Sequence, residues 1–299
     1  MACILIAGGN GLVGQRLTQV LQTAGHEVRW LVRNPNGHEQ VRTFAWNPER
    51  HELPKEALNE IDAIISLAGA PIAGSRWTTG YKRKILQSRL DAAQTLIHAL
   101  NNQSNRVSCV ISASAIGFYG SRGNEILDEH SKMGVGFLSE TTAAWESAYE
   151  SCPVRHVTIR IGIVLSRNGG ALPKLEAPLQ AGIASILGQG NQVMSWIHID
   201  DLCALFLHAL SKNSTTGIYN GVAPNPVEQR VFMRTLRRIV NPISLLLPAP
   251  AFVLRIILGE QAVLVLDSAF VSCDRILSEG FQFKFPILTD ALKDLYGKN

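Results

Sequence analysis

The sequence predicts an α/β fold, a doubly wound parallel β-sheet with a smaller, mostly helical C-terminal lobe. Three observations lead to this prediction. Residues 2–7 form an apolar run that enters a glycine-rich turn and then a segment with helical spacing. Strand and helix patterns alternate as far as about residue 166, which is typical of a parallel sheet with helices on both faces. Beyond that point the pattern becomes looser, glycine-rich and interrupted by prolines.

The turn at residues 8–14, GGNGLVG, has the spacing G-x-x-G-x-x-G. Gly8 suits a tight turn, and Gly11 allows backbone to approach a pyrophosphate. Gly14 lets the following helix lie close to the strand, so that the helix N-terminus faces the phosphates. An ordinary strand-to-helix turn is the alternative explanation. The strand before the turn and the helix after it favour a dinucleotide-binding site.

Arg33 lies directly after the second predicted strand, residues 27–32, and 19 residues beyond Gly14. A NAD-selective site of this architecture places an acidic residue near this point to hold the ribose hydroxyls. Arginine instead offers a cation to the 2′-phosphate of NADP, with no carboxylate to repel it. A solvent-exposed arginine in a loop is the alternative. We interpret Arg33 as favouring NADP.

The other strands and helices follow in chain order. Small residues at 68–71 come after the fourth strand, where the carboxyl ends of a doubly wound sheet meet a ligand. Lys84 and Arg89 lie off the apolar stripe of the next helix, so they either face solvent or contact a cofactor or phosphate. The predicted strands are 41–46, 61–67, 107–112, 154–164, 193–199 and 217–221, and the predicted helices are 81–101, 137–151, about 201–210 and 288–296.

This pattern predicts two regions. Residues 1–166 form the NADP-binding domain, and residues 191–222 are expected to return to it. Residues 167–299 form the C-terminal substrate-lobe region, which closes over the edge of the sheet.

Composition excludes several classes of protein. A chain of 299 residues with 46% hydrophobic and 17% charged residues is globular rather than disordered. The net charge of +4 includes no dense basic stripe, which argues against a nucleic-acid partner. Five scattered cysteines fit a reducing compartment. The most apolar part, 243–271, is broken by prolines and charges, and no signal peptide is recognised, so we expect a cytoplasmic protein without a membrane partner.

Several further segments resemble those of one enzyme superfamily. They are SLAG at 66–69, RWT at 76–78, SRL at 88–90, WE at 145–146, RIGIVL at 160–165, SWIHIDD at 195–201 and NGVAP at 220–224. With the glycine turn and Arg33, they make the chain similar to extended short-chain dehydrogenases/reductases, and more narrowly to their atypical epimerase-like subgroup. The resemblance spans nearly the whole chain. It implies a Rossmann-type domain that binds NADP(H) and a C-terminal lobe that binds a small-molecule substrate.

The resemblance also implies which residues hold the cofactor. Matched by position, they are Gly8, Gly11, Leu12, Val13 and Gly14 at the pyrophosphate, Arg33 at the 2′-phosphate, Leu67 and Ala68 beside the adenosine and ribose, and Lys84, Arg89 and Val164 at the remaining contacts. The sequence departs from the pattern at Asn10, where relatives commonly have Thr, and at Ala70, where they commonly have Glu. Asparagine tolerates such a turn, so we expect cofactor binding to persist.

The acid–base pair usual in this superfamily is absent. Ordinary members use Tyr-x-x-x-Lys, in which the lysine lowers the pKa of the tyrosine so that tyrosinate acts as a general base. None of the five tyrosines has a lysine four residues later. Counted from Glu146, the pair would fall at about Leu138 and Thr142.

Two residues remain as candidate catalytic groups. Ser114 matches the substrate-polarising serine of the superfamily, and a hydroxyl that caps a strand end is the equally weighted alternative. Tyr119 could replace the missing proton donor, but an aromatic ring that lines the cleft is the favoured interpretation. His198, between two isoleucines, is interpreted as a hydrogen-bonded structural residue. We find no metal-ligand pattern and no G-x-S-x-G nucleophile motif.

Two classes of function fit these features. The first is a NADP-dependent oxidoreductase or epimerase with unconventional acid–base residues that acts on an unidentified small substrate, for which a nucleotide-sugar-like molecule is one candidate. The second is a catalytically silent NADPH-binding sensor or scaffold. The missing pair favours the second class, whereas Ser114 and the substrate lobe favour the first, which we adopt. An oligomer remains compatible with the sequence.

Overall fold

The computed structural model describes residues 1–35, 37 and 40–297. Its strands are β1 (Cys3–Ala7), β2 (Glu27–Val32), β3 (Arg42–Ala45), β4 (Ala63–Ser66), β5 (Cys109–Ala115), β6 (Ile126–Leu127), β7 (Arg155–Ile161), β8 (Ile163–Leu165), β9 (Ile183–Leu187), β10 (Val193–Met194), β11 (Trp196–His198), β12 (Gly217–Gly221), β13 (Val227–Glu228), β14 (Leu245–Ala249) and β15 (Phe270–Val271).

The α-helices are α1 (Leu12–Thr23), α2 (Thr79–Asn102), α3 (Phe137–Ser147), α4 (Leu172–Gln180), α5 (Ile199–Ser211), α6 (Gln229–Val240), α7 (Ala251–Leu258), α8 (Val263–Leu266), α9 (Asp274–Ser278) and α10 (Leu288–Tyr296). Short 3₁₀ turns lie at Pro48–Arg50, Lys55–Leu58, Ile116–Tyr119 and Gly259–Ala262. No helix in the described part of the chain is both long enough and apolar enough to cross a membrane.

Seven parallel strands form the central sheet in the order β12-β7-β5-β4-β1-β2-β3. The chain builds outward from β1 to β3, then returns to the other side of β1 and builds outward from β4 to β12. This reversal between β1 and β4 is the point where ligands bind in doubly wound sheets. The predicted fold class is confirmed.

Helices cover both faces of the sheet because side chains alternate along each strand. In β1, Ile4 and Ile6 belong to the core beneath α1 and α5, while Leu5 joins the core beneath α2 and α3. Leu17 of α1 is fully buried in the first core, and Leu96 of α2 is fully buried in the second. Burial on both faces explains the continuous apolar runs from which these strands were predicted.

The predicted strand 154–164 is wrong in one respect, because it breaks at Gly162. β7 stays in the central sheet, whereas β8 leaves it and pairs with β11. A Cβ atom at Gly162 would lie 2.6 Å from the Ser195 carbonyl oxygen and 2.7 Å from Cγ1 of Val222. The crossing of these three segments therefore requires glycine. The predicted strand 193–199 is likewise divided into β10 and β11, and its last residue, Ile199, begins α5.

The C-terminal lobe has its own core, built from α4, α6, α10 and nearby strands around the fully buried Trp196 and Phe232. Its mostly helical character is confirmed, but β9 and β14 form a parallel pair that the sequence did not predict. Pro248, one of the prolines that interrupt the apolar stretch 243–271, lies within β14. In a two-stranded sheet, one edge of this strand needs no ladder donor.

Candidate functional site

The glycine turn between β1 and α1 has the shape expected of a phosphate cradle. Gly8 has φ of +85°, and a Cβ there would lie 3.1 Å from the backbone nitrogen of Ala68. A Cβ at Gly14 would lie 2.5 Å from the Gly8 carbonyl oxygen, so helix and turn meet backbone to backbone. Gly11 is the N-cap of α1, and no described side chain caps it. The first amide N–H groups of the helix are therefore available to an anion.

The turn also requires glycine at position 9, which the sequence pattern did not indicate. A Cβ there would lie 2.3 Å from the indole ring of Trp30 in β2. The indole nitrogen in turn donates a hydrogen bond to Thr18 Oγ1 in α1 at 2.9 Å. The turn thus lies directly on a buried aromatic ring, which only a residue without a side chain permits.

A cleft of about 930 Å³ opens beside the turn, over the carboxyl ends of β1, β2 and β4. Its volume lies in the range of small-molecule and cofactor sites. Six of the predicted cofactor residues line it: Gly8, Gly11, Arg33, Leu67, Ala68 and Lys84. Ser88 of the SRL segment also lines it, together with residues that no sequence motif marks, among them Trp46, Asn47, His51, Gln87 and Asp91. Those from 46 to 51 follow β3, and no motif in the sequence marks them.

Arg33 follows β2 at the wall of the cleft, and its side chain is exposed. Two further cations, Arg83 and Lys84, reach the same cleft from the first turns of α2 and are also exposed. Glu49 and Asp91 line other parts of the wall. The structure therefore brings Arg33 and Lys84, which are far apart in sequence, to one cavity, where they can bind phosphate.

Arg89 differs from these exposed cations, because its guanidinium is buried behind the cleft. It donates hydrogen bonds to the carbonyl oxygens of Ala70 at 3.1 Å and Ile85 at 2.8 Å, and lies 4.9 Å from the centre of the Trp145 ring. Burial lowers the pKa of Arg89 to about 10. It is not among the residues that line the cleft. Its position supports the loop at Gly69 and Ala70 from below.

The remaining predicted cofactor residues lie where the turn meets the C-terminal lobe. Leu12 is in reach of Gly169 and Gly170, since a Cβ at either glycine would lie 3.5 Å from its side chain. The carbonyl oxygen of Val164 would lie 3.6 Å from the same Cβ of Gly170. Val13 is half-buried against the core beneath α1. Leu12 and Val164 thus lie beside Gly169 and Gly170, and the large cleft is lined by none of Leu12, Val13, Gly14 and Val164.

Ser114 belongs to a buried polar network at the end of β5. Its hydroxyl donates to Oε1 of Glu146 at 2.5 Å, and the same carboxylate receives Nε and Nη2 of Arg160 at 2.8 and 2.7 Å. Ser114 is 3% exposed. It lines neither the large cleft nor a second, smaller cavity over the carboxyl ends of β5 and β7. Its hydroxyl therefore holds Glu146 in place, which is closer to the structural alternative than to substrate polarisation.

The ring of Tyr119 was expected to line the cleft, and the structure shows that it does not. The ring is completely buried. Its hydroxyl donates to Asn220 Oδ1 at 2.7 Å and accepts from Nη1 of Arg160 at 3.0 Å. Burial is the main cause of a pKa above the ordinary tyrosine value. A donor that is enclosed by protein and holds its proton more tightly has no route to a substrate.

A second cavity, of about 370 Å³, lies over the carboxyl ends of β5 and β7, further along the same sheet edge. Leu138 lines it, at one of the two positions where the superfamily's acid–base pair would fall. Thr142, at the other position, is buried, and its hydroxyl donates to the Leu138 carbonyl oxygen at 2.6 Å. Neither residue can exchange a proton with a ligand as tyrosine and lysine would.

His198 has the structural role that its sequence context predicted. Its Nδ1 accepts a hydrogen bond from the Asp200 amide at 3.1 Å and so caps the N-terminus of α5. The ring lies 4.1 Å from that of Phe285, and burial lowers the pKa of the imidazole. No group of three or more His, Cys, Asp or Glu residues suited to a metal is present within 1–35, 37 and 40–297.

Comparison with known proteins agrees with this geometry. The model of the NAD dependent epimerase/dehydratase family matches residues 4–220, and a domain of unknown function matches residues 249–295. The chloroplastic homolog of epimerase family protein SDR39U1 from Arabidopsis thaliana is 35% identical, over 97% of this chain and 85% of that protein. The crystal structure of human epimerase family protein SDR39U1 with NADPH has a TM-score of 0.89 at 31% identity, and the alignment covers 99% of this chain and 100% of that one.

A nucleoside-diphosphate sugar epimerase from Corynebacterium glutamicum aligns with a TM-score of 0.78 at 30% identity, over 100% of this chain and 59% of that chain. The similarity to epimerase-like short-chain dehydrogenases/reductases that the motifs indicated is confirmed.

Proposed function

Because the chain belongs to the NAD dependent epimerase/dehydratase family, we propose that it binds NADP(H) and transfers hydride to or from a small substrate without the usual tyrosine–lysine pair. NADP(H) would lie along the carboxyl edge of the sheet, with its adenosine half in the large cleft and its reacting end toward the second cavity. The nicotinamide supplies or accepts the hydride ion.

The observation that carries the choice of NADP is the place of Arg33. It lies at the end of β2, where a NAD-selective site has a carboxylate, and its side chain is exposed on the cleft wall. Lys84 adds a second exposed cation to the same wall. The human relative that was crystallised with NADPH supports this choice.

The fit of the dinucleotide is supported by the shape of the turn. Gly14 leaves no space for a Cβ, and Gly8 has a positive φ with backbone 3.1 Å from its Cβ position, so the backbone itself forms the cradle. The uncapped N-terminus of α1 would receive the pyrophosphate, and Arg89 would hold the loop at Gly69 and Ala70 that borders the ribose. In this function Ser114 and Tyr119 are positioning residues that fix the end of β5 and Arg160.

A catalytically silent NADPH-binding sensor is the second candidate function. The observation that favours it is the apolar side chain of Leu138 and the enclosed hydroxyl of Thr142, at the positions of the acid–base pair. The second cavity favours the enzyme, since a protein that only senses NADPH needs no second ligand site.

An equilibrium titration with NADPH and NADH, followed by fluorescence of the nicotinamide, tests the cofactor. We expect NADPH to bind at least about tenfold more tightly than NADH, the effect of one charge-assisted phosphate contact. Equal affinity, or binding of neither, contradicts the choice of NADP. Addition of a metabolite extract to the NADPH-loaded protein then separates the two functions, because oxidation of bound NADPH requires turnover and a sensor leaves it reduced.

A further inference from the structure

The lining of the second cavity is mainly apolar. It lies between the carboxyl ends of β5 and β7, the start of α3 and the segment from the 3₁₀ turn at Gly259–Ala262 through α8. The apolar side chains that line it are Trp77, Ile116, Val135, Phe137, Leu138, Ile161, Ile163, Val193, Val263, Leu264 and Ala269. Trp77 and Phe137 meet edge to face with ring centres 5.1 Å apart, and so give one wall an aromatic surface.

The charged residues of this cavity are both acidic. Glu260 and Asp267 line it, and no lysine or arginine is found among its described lining residues. Lys82 approaches from α2, but its ammonium is paired with Glu260 at 2.7 Å. The Asp267 carboxylate has no hydrogen-bond or ion-pair partner in the described part of the chain. One carboxylate without a cationic partner therefore remains at the wall. Its side chain is exposed, and partial burial raises its pKa above the ordinary aspartate value.

The two serine hydroxyls of the lining already form hydrogen bonds with backbone groups of the protein. Ser139 Oγ donates to the Gly117 carbonyl oxygen at 2.9 Å. Ser195 Oγ donates to the Ala269 carbonyl oxygen at 2.7 Å and accepts from the Val271 amide at 3.0 Å. Neither hydroxyl can donate to a phosphate without giving up a bond that holds the wall together.

Two features near the cavity are favourable to anions. One is the N-terminus of α3 at Phe137, and the other is the Lys82 ammonium, which lies 5.5 Å from the Phe137 ring centre but is paired with Glu260. A helix N-terminus carries a partial positive charge equivalent to about half an elementary charge. Glu140 lies in the first turn of α3 and offsets that charge. Among the described residues that line the cavity itself, the charged side chains are Glu260 and Asp267, so its lining contributes carboxylates and no side-chain cation.

From this lining we propose that the second cavity binds a small, mainly apolar molecule without anionic groups. The inference rests on the proposed function in taking this cavity as the substrate site. A nucleotide sugar carries a diphosphate, which needs cations or free N–H and O–H donors when it is taken out of water. The cavity offers an acidic, apolar wall instead. Of the candidate substrates that the sequence leaves open, the cavity therefore favours an uncharged or cationic molecule over a nucleotide sugar.

Probes that differ mainly in charge test this directly. Acetophenone, 2-phenylethylamine and phenylacetate have one phenyl ring each and are neutral, cationic and anionic at neutral pH. Their binding to the NADPH-loaded protein is measured by saturation-transfer NMR titration, with UDP-glucose as a fourth probe. We expect the neutral and cationic probes to bind about tenfold more tightly than phenylacetate, and UDP-glucose to show no saturable binding. Phenylacetate or UDP-glucose binding as tightly as the amine would overturn the proposal.

Two variants locate the binding in the cavity. Leu264→Arg places a cation in the wall, at a side chain that is already 37% exposed, and should weaken amine binding about tenfold while strengthening phenylacetate. Ile243→Arg makes a matched change at a side chain that is 88% exposed and lines neither cavity, and should leave every probe unaffected. Equal effects of the two variants contradict the assignment.

Asp267→Asn gives an independent measurement, since it removes only the negative charge. Amine binding should fall while acetophenone binding stays constant, and a parallel loss of both would count against the charge argument. The NADPH titration distinguishes failure of the proposed function from failure of the cavity proposal. If NADPH does not bind, the same four probes are titrated into the cofactor-free protein, where their order of affinity still tests the cavity.

Discussion

Arg33 and Tyr119 show how differently single residues can be predicted. Arg33 was placed by counting from a glycine turn, and its exposed side chain lies on the cleft wall. Tyr119 was interpreted as a residue of the cleft, but it is enclosed by Arg160 and Asn220. The position of a residue along a strand–turn–helix unit is local, whereas enclosure depends on partners 41 and 101 residues away.

Arg33→Asp should weaken NADPH far more than NADH. Loss of one charge-assisted phosphate contact corresponds to about 1.5–3 kcal/mol, or roughly 10- to 150-fold in NADPH affinity. Fluorescence titration of both cofactors measures the change. Arg234→Asp is the matched control, because this exposed arginine of α6 lies outside the cleft. Equal losses for NADPH and NADH would exclude a 2′-phosphate contact.

Tyr119→Phe should reduce the free energy of unfolding by about 1–3 kcal/mol, because Asn220 and Arg160 each lose a buried partner. NADPH affinity should stay within about twofold. Urea unfolding and cofactor titration provide the two readouts. Tyr81→Phe is the control, since that hydroxyl bonds the Pro71 carbonyl oxygen at the surface and should contribute less. Loss of NADPH binding with normal stability would contradict this structural role and indicate that Tyr119 contributes to the cofactor site.

At the scale of elements, glycines decide where strands end and helices begin. Gly14 brings α1 against the turn, and Gly162 takes the chain out of the central sheet between β7 and β8. The first was recognised because strand, turn and helix are contiguous in sequence. The second was missed, because the groups that exclude a side chain there, Ser195 and Val222, come from distant segments.

Gly14→Ala should destabilise the protein by about 1–3 kcal/mol, since the new methyl group would meet the backbone of Gly8 and Gly9 within 2.6 Å. Urea unfolding measures the loss. Gly80→Ala in α2 is the matched control, because its Cβ would have nothing within 4 Å and alanine favours the helix. We expect that control to be as stable as the parent or slightly more so. A stable Gly14→Ala variant would mean that the turn can shift at little cost.

The pairing of β5 with β7 predicts a dependence of stability on pH. His156 stacks on Tyr149 and bonds Ser112 Oγ at 2.9 Å, and burial lowers its pKa from 6.5 to about 4. Because the unfolded chain takes up this proton first, stability should be full above about pH 6.5 and fall as the pH drops toward 4.

His156→Phe keeps an aromatic ring for stacking and removes the titrating group. Between pH 6.5 and 4, the slope of unfolding free energy against pH should fall by up to about 1.4 kcal/mol per pH unit, the value for one proton. Urea unfolding at several pH values measures both slopes, and data at pH 8 correct for the change in packing. Parallel slopes for the parent and the variant would show that His156 does not titrate in this window.

At the scale of the whole molecule, two cavities share the carboxyl edge of one sheet. The larger lies over β1, β2 and β4, and the smaller over β5 and β7. The C-terminal segment is tied to the sheet domain through Asp201 of α5, whose carboxylate accepts the amides of Lys284 and Phe285 at 2.8 and 2.9 Å. Through this contact, the core of the lobe is held against the domain that carries the cleft.

Asp201→Asn should lower the free energy of unfolding by about 1–3 kcal/mol, since one amide oxygen replaces two acceptors at a site that is 1% exposed. Urea unfolding followed by tryptophan fluorescence measures the loss. Asp290→Asn, at the exposed start of α10, is the control and should cost less than about 1 kcal/mol. Equal costs at the two positions would show that the Asp201 contact does not bind the segment.

The sequence by itself determined the chain order of the seven central strands, the helices between them, the glycine turn and the place of Arg33, because hydrophobic periodicity and turn chemistry act between near neighbours. It also excluded the tyrosine–lysine pair. Only the tertiary structure decided which polar residues are enclosed, where β7 ends, and that β9 pairs with β14. Those outcomes depend on groups far apart in the chain, and so does the acidic, apolar lining of the second cavity, whose walls come from six separate parts of the sequence.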